Sequence, residues 1–131
     1  MNAMDMKALN HSAEFEALCD DAKTRIREVS VDEVAAMQAG GEDFYLIDVR
    51  DGDEFAQGSI EGAVHLSKGW VEAKIHTVVA DKDARVVLYC GGGNRSALVA
   101  DNLQKMGYSD VLSMVGGIKG WVKSGKGVCG L

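Results

Sequence analysis

At 131 residues, 47% hydrophobic and 26% charged, the chain has the size and composition of one globular domain, able to bury about two thirds of its unfolded surface without disulfides or metal. A net charge of −6 leaves no basic face to follow a phosphate backbone, so nucleic acid is not expected as a partner. Cys19, Cys90 and Cys129 are odd in number and too far apart for a disulfide framework or a zinc knuckle, and no apolar run approaches the roughly 18 residues of a membrane span; the cytoplasm is the expected location.

Proline is absent, so Gly, Asn and Asp must build the turns. From Ser12 to Arg27, Phe15, Leu18, Ala22 and Ile26 recur at helical spacing among charged residues, which predicts an amphipathic helix laid across its own domain, with Cys19 beside the stripe and chemically inert. A partner-binding or dimerising helix is the alternative. Ser30 and Glu33 form a capping box for a second helix with Val31, Val34 and Ala35 on its buried face, stopped by Gly40-Gly41. Tyr45 to Val49 is a strand covered on both faces, and Asp51 with Glu54 opens a short helix closed by Gly58. Ala63 to Leu66 is a short strand, Trp70 to Ile75 a helical turn, and Arg85 to Tyr89 a second doubly buried strand leading into Cys90. Arg95 to Met106 is a helix with Val99, Leu103 and Met106 on one face and Gly107 as its stop; Val111 to Val115 is a strand, and Ile118 to Lys123 a closing helix after Gly116-Gly117. The Gly-rich tail from Ser124 to Leu131 is expected to be mobile. The reading is an α/β domain with a mainly parallel sheet of about five strands flanked by helices: a helical extension over 1–27, the domain over 28–125 and a flexible tail over 126–131.

Ligands of such folds bind beyond the carboxyl ends of the strands. There stand Cys90, Gly91, Gly92, Gly93, Asn94, Arg95 and Ser96, between a buried strand and a long helix. Three successive glycines let the backbone turn its N–H groups inward as an anion nest, and the helix adds its own free N–H groups and positive dipole end. Such surroundings favour the thiolate, the nucleophilic form of cysteine. Arg95, a cation in the first helical turn, opposes the dipole unless an anion sits nearby. A thiolate or a bound sulfur oxyanion gripped by its planar fork would reverse that penalty. Apart from the joint pattern, Cys90 reads equally as a plain core residue and Arg95 as a solvated one.

With these residues the chain resembles a single-domain rhodanese, a persulfide-forming sulfurtransferase, over about Ile26 to Gly125. Leu46-Ile47-Asp48-Val49-Arg50, with Glu54, Gly58, Ile60, Gly62 and Ala63, resembles the family's first signature, and Gly116-Gly117 with Trp121 its closing one. The resemblance implies that four residues between Cys90 and Arg95 make a cradle for sulfur, where the phosphatases of this fold have five. It implies that Cys90 takes sulfane sulfur from a small anion such as thiosulfate and yields it to cyanide or a thiol, or exchanges it with a protein partner. Gly91, Gly92, Gly93, Asn94, Arg95 and Ser96 would bind the substrate, and Asp48 with Arg50 would bracket the loop from behind. The pair reads equally as a structural ion pair. No cofactor is implied. Ser59 stands where the family usually has histidine and Glu61 where it has proline.

Trp70 is a candidate for the pocket mouth or for simple packing, and His65 reads as a hydrogen-bonded core histidine. His11 and His76 have no ligand partners at metal spacing, so no metal site is expected. Cys129 reads as a free tail thiol, with a resolving role as its alternative. Two rivals to an enzyme of sulfur transfer follow: a partner-loaded sulfur carrier of the same fold that docks through its N-terminal helix, and a cysteine phosphatase or arsenate-reducing enzyme.

Overall fold

A computed structural model describes residues 10–130. The elements run α1 (Ala13–Lys23), β1 (Arg27–Val29), α2 (Val31–Ala39), β2 (Tyr45–Asp48), α3 (Gly52–Ala56), β3 (Val64–His65), α4 (Lys68–Val78), β4 (Arg85–Tyr89), α5 (Asn94–Lys105), β5 (Asp110–Met114) and α6 (Gly117–Lys123). The strands form one parallel sheet in the order β1-β5-β4-β2-β3, which makes β4 the central strand. β4 is buried on both faces, and its alternation sorts the core. Val86, Leu88 and Cys90 face a layer containing Val71 and Ile75 of α4 and Val99, Ala100 and Leu103 of α5. Val87 and Tyr89 face Val34 and Met37 of α2 and Trp121 of α6.

The two-faced α/β architecture and the five-stranded parallel sheet are as expected. α2 carries the capping box, with Glu33 N–H donating to Ser30 Oγ at 3.0 Å and Ser30 N–H to Glu33 Oε1 at 3.2 Å.

Several elements depart from expectation. The first helix ends at Lys23, and Arg27 opens β1, which pairs with β5 at the sheet edge. Only Val29 of that strand is buried, so its three residues carry no alternation for the eye to find. The buried stripe of α1 runs through Cys19 and Ala22, while Leu18 is 56% exposed; Cys19 is therefore the centre of the contact with the domain. On α5 the packed positions include Ala97, Val99, Ala100 and Leu103, whereas Met106 lies at the surface. The turn expected over Trp70–Ile75 is an 11-residue helix whose Val71 and Ile75 are one turn apart and buried. The tail does not hang free of the body. Cys129 and Ser59 exchange two backbone hydrogen bonds of 2.8 and 2.9 Å, and Trp121 Nε1 donates to Gly127 O at 2.9 Å. Among the described residues, no helix is long and apolar enough to cross a membrane.

Candidate active site

Cys90 follows the last residue of the central strand, and the next four residues turn the chain into α5. Its Sγ is buried and accepts from Gly93 N–H at 3.1 Å and from Ser96 N–H at 3.4 Å. Cys90 Sγ in turn donates to Ser96 Oγ at 3.5 Å, and Ser96 Oγ lies 2.8 Å from Ser113 Oγ, so two buried hydroxyls link the sulfur to β5. The two amides are fixed in place by the loop and the first turn of α5, so both are already aimed at any group that the sulfur carries. Gly92, at the loop tip, is exposed and opens the cradle to solvent.

The loop is held from below by the start of α6. Ile118 N–H donates to Cys90 O at 2.9 Å and Lys119 N–H to Gly91 O at 3.1 Å. This approach requires glycine at position 117: a Cβ there would lie 2.4 Å from Cys90 O, and φ is +57°. Gly93 is similarly constrained, with φ of +104° and a Cβ position 3.2 Å from Gly116 N. The two glycine-rich turns therefore fit one against the other.

Arg95 points to Glu54 of α3, with Nη1 donating to Oε1 at 2.8 Å and Nη2 to Oε2 at 3.1 Å. This forked pair, with Glu54 as hydrogen-bond acceptor, holds the Arg95 guanidinium above its usual pKa even though burial works the other way. Glu54 Oε1 also accepts from Asp51 N–H at 3.2 Å, which ties the clamp to the start of α3. The anion that offsets Arg95 in the folded chain is thus Glu54, a partner 41 residues away whose contact with Arg95 the sequence does not reveal. Its place within the first signature was the available signal.

Asp48 and Arg50 form a buried ion pair behind the loop. Arg50 Nη2 donates to Asp48 Oδ2 and to Gly58 O, both at 2.7 Å, while Arg50 N–H donates to Asp48 Oδ1 at 2.9 Å. Burial opposes the charge on Arg50, but hydrogen bonds and attraction from Asp48 keep its pKa raised. The guanidinium also lies 5.9 Å from the centre of the Tyr89 ring, next in sequence to Cys90. Burial and the Asp48 charge push the Tyr89 hydroxyl up, and that hydroxyl accepts from Ile60 N–H at 3.1 Å. The pair anchors strand ends and a neighbouring loop, and its route to Cys90 runs through Tyr89.

The remaining candidates separate. His65 stacks on Phe55 and bonds Arg50 O at 2.8 Å through Nε2, a structural arrangement. Trp70 is 61% exposed on α4. Ser59, which replaces the family's usual histidine, carries the backbone pairing with Cys129; Glu61 O, at the usual proline, accepts from Gln38 Nε2. Burial raises the Cys19 thiol, in keeping with an unreactive core residue. Asn94 contributes the one long side chain of the loop and turns it toward α1, where Lys23 Nζ donates to Oδ1 at 3.0 Å and His11 Nδ1 stands 3.4 Å from Nδ2. A surface concavity of about 610 Å³ is lined by residues including Arg27 and Arg85 at strand starts, the opposite end of the sheet from Cys90.

Residues 30–124 match the family of the rhodanese-like domain. The chain belongs to this family. Among its relatives, the Bacillus subtilis protein YtwF is 36% identical over 96 residues, covering 73% of this chain and 90% of that one. A protein of Allochromatium vinosum named sulfurtransferase is 33% identical over 100 residues, covering 76% and 92%. A Rhodopseudomonas palustris protein of unknown function, described as a possible tyrosine phosphatase, superposes with a TM-score of 0.82 at 28% identity, covering 92% of this chain and 98% of that one. The rhodanese-like match begins after β1, so α1 lies outside the segment that defines the family.

Proposed function

We propose that this rhodanese-like protein is a sulfurtransferase that carries sulfane sulfur as a persulfide on Cys90. Family membership and the sulfurtransferase relative support sulfur transfer in general. The observation that carries the finer reading is the convergence of the Gly93 and Ser96 amides and the Ser96 hydroxyl on a single cysteine sulfur. In the first half-reaction the Cys90 thiolate attacks the outer sulfur of thiosulfate. A sulfur–sulfur bond forms to Cys90, the bond to the central sulfur breaks, and its electron pair leaves with sulfite. In the second, cyanide or a thiolate attacks the outer persulfide sulfur and the Cys90 thiolate departs. Charge and atoms balance in both halves without cofactor, and the two-step course predicts ping-pong kinetics. Amides of Gly91, Gly92, Gly93, Asn94, Arg95 and Ser96 would receive the added sulfur, with Arg95 held in place by Glu54.

Intact-mass measurement before and after thiosulfate tests this. The expected result is a gain of one sulfur atom on the native chain, removed by cyanide, with no gain on Cys90→Ser. Loading by a partner protein's persulfide but not by thiosulfate would make the chain a carrier. Hydrolysis of an aryl phosphate lost in Cys90→Ser, with no sulfur gain, would replace the reading with a phosphatase.

A further inference from the structure

Arg95, the cation nearest to hand in the loop, spends its fork on Glu54, so the pair contributes little net positive charge to an incoming anion. The chain as a whole carries −6, which repels small anions at long range. A donor that is itself an anion therefore needs other cations at the cradle. Two ammonium groups stand there, one at each end of the exposed Gly92 tip. Lys23, from α1, is partly buried and bonds Asn94 Oδ1 at 3.0 Å. Lys119, from α6, is exposed, and its Cε passes 3.9 Å from where a Cβ of Gly91 would sit. Neither forms an ion pair with the described residues.

The geometry points to Lys23 and Lys119 as the residues that select a small doubly charged sulfur anion at the Cys90 loop. This rests on the sulfur-transfer reading above and deepens it. Lys23 is a specificity residue supplied from outside the family segment, which begins at residue 30, so α1 is a working part of the site. Its bond also ties the Asn94 amide to α1, two residues from the exposed Gly92. An ammonium on either side attracts a dianion about twice as strongly as a monoanion of similar size, since Coulomb energy scales with the product of the charges. Because the groups are near water, the effect is screened by salt.

Single-turnover loading of Cys90, followed by intact mass, is measured with thiosulfate, a dianion, and benzenethiosulfonate, a monoanion. The proteins are the full native chain, Lys23→Met, Lys119→Met, the double variant, and the Lys23→Arg/Lys119→Arg pair. Each single Met variant is expected to lower the second-order loading constant for thiosulfate about threefold and the double variant about tenfold, with about a threefold loss for benzenethiosulfonate. The Arg pair restores most of the thiosulfate rate, and the salt dependence of loading flattens in the double Met variant. Equal losses for both donors, or none, in variants that still load sulfur would overturn the assignment of the lysines alone. Failure of the native chain to load sulfur from either donor would overturn the small-anion sulfurtransferase reading and this inference with it.

Discussion

The polar groups around the Cys90 sulfur come from its own loop, α5 and β5, and each can be weakened separately. The amides come from its own loop and from the first turn of α5, while the terminal hydroxyl, Ser113, stands on β5 and touches the sulfur only through Ser96. Ser113 is fully buried, and without Ser96 as a partner its hydroxyl would have no reason to lie in the core. Ser113→Ala is expected to cost about 1 kcal/mol of stability and to slow persulfide loading about threefold. If the two hydroxyls act in series, Ser96→Ala/Ser113→Ala loads no more slowly than Ser96→Ala; additive losses in this double-mutant cycle, read by stopped loading and intact mass, would show that Ser113 acts by another route. Cysteine, glycines, arginine and serine are all visible in the loop sequence. Ser113 is not, because nothing in Val111 to Val115 says which side chain of a buried strand will face the loop.

At the scale of elements, the Cys90 loop is shaped by the turn that opens α6 as much as by its own residues. Gly117 lets Ile118 and Lys119 offer their N–H groups to the carbonyls of Cys90 and Gly91. An added methyl at this left-handed position would meet backbone rather than a movable side chain, so the loop must shift. Gly117→Ala is expected to lower stability by about 1–2 kcal/mol and loading by about 10- to 100-fold, the scale of a displaced catalytic group. Urea unfolding and the loading assay check the two effects, and unchanged loading would mean that the loop keeps its shape without α6. Capping box, glycine stops and apolar strands were legible because each is a local pattern over a few residues. β1 was not, since its pairing with β5 rests on backbone bonds and one buried valine. On α1 the sequence placed Ala22 on the buried stripe correctly but put Leu18 where Cys19 stands, because a buried cysteine looks weaker than the exposed leucine beside it.

Across the whole molecule, carboxylates fasten neighbouring elements to one another. Asp101 of α5 accepts from Arg25 Nε at 3.0 Å and Nη2 at 2.8 Å, and these bonds hold its carboxyl below the usual range. Burial works against the charge on Asp110, but bonds from Arg85 and Arg27 outweigh it and lower its pKa too. A carboxylate with a depressed folded pKa contributes stability that is present above its unfolded value, about 3.9, and lost as pH falls through the folded value. The melting temperature is therefore expected to fall steeply below about pH 4, and less steeply in Asp101→Asn/Asp110→Asn, whose stability near neutrality is already lower. Thermal unfolding followed by circular dichroism across that range checks it; parallel curves for both proteins would assign the acid loss to other groups.

The sequence by itself determined the α/β class, the doubly buried strands, and the Cys90 to Ser96 turn leading into a helix, because hydrophobic period, glycine and capping chemistry act over neighbouring residues. Only the tertiary structure decided what those residues meet. Strand order brings Glu54 to Arg95 across 41 residues, Ser113 to Ser96 across 17 and Lys23 to Asn94 across 71. Such contacts follow from which strand ends lie side by side and which helix crosses them, a property of the packed whole that no local window contains.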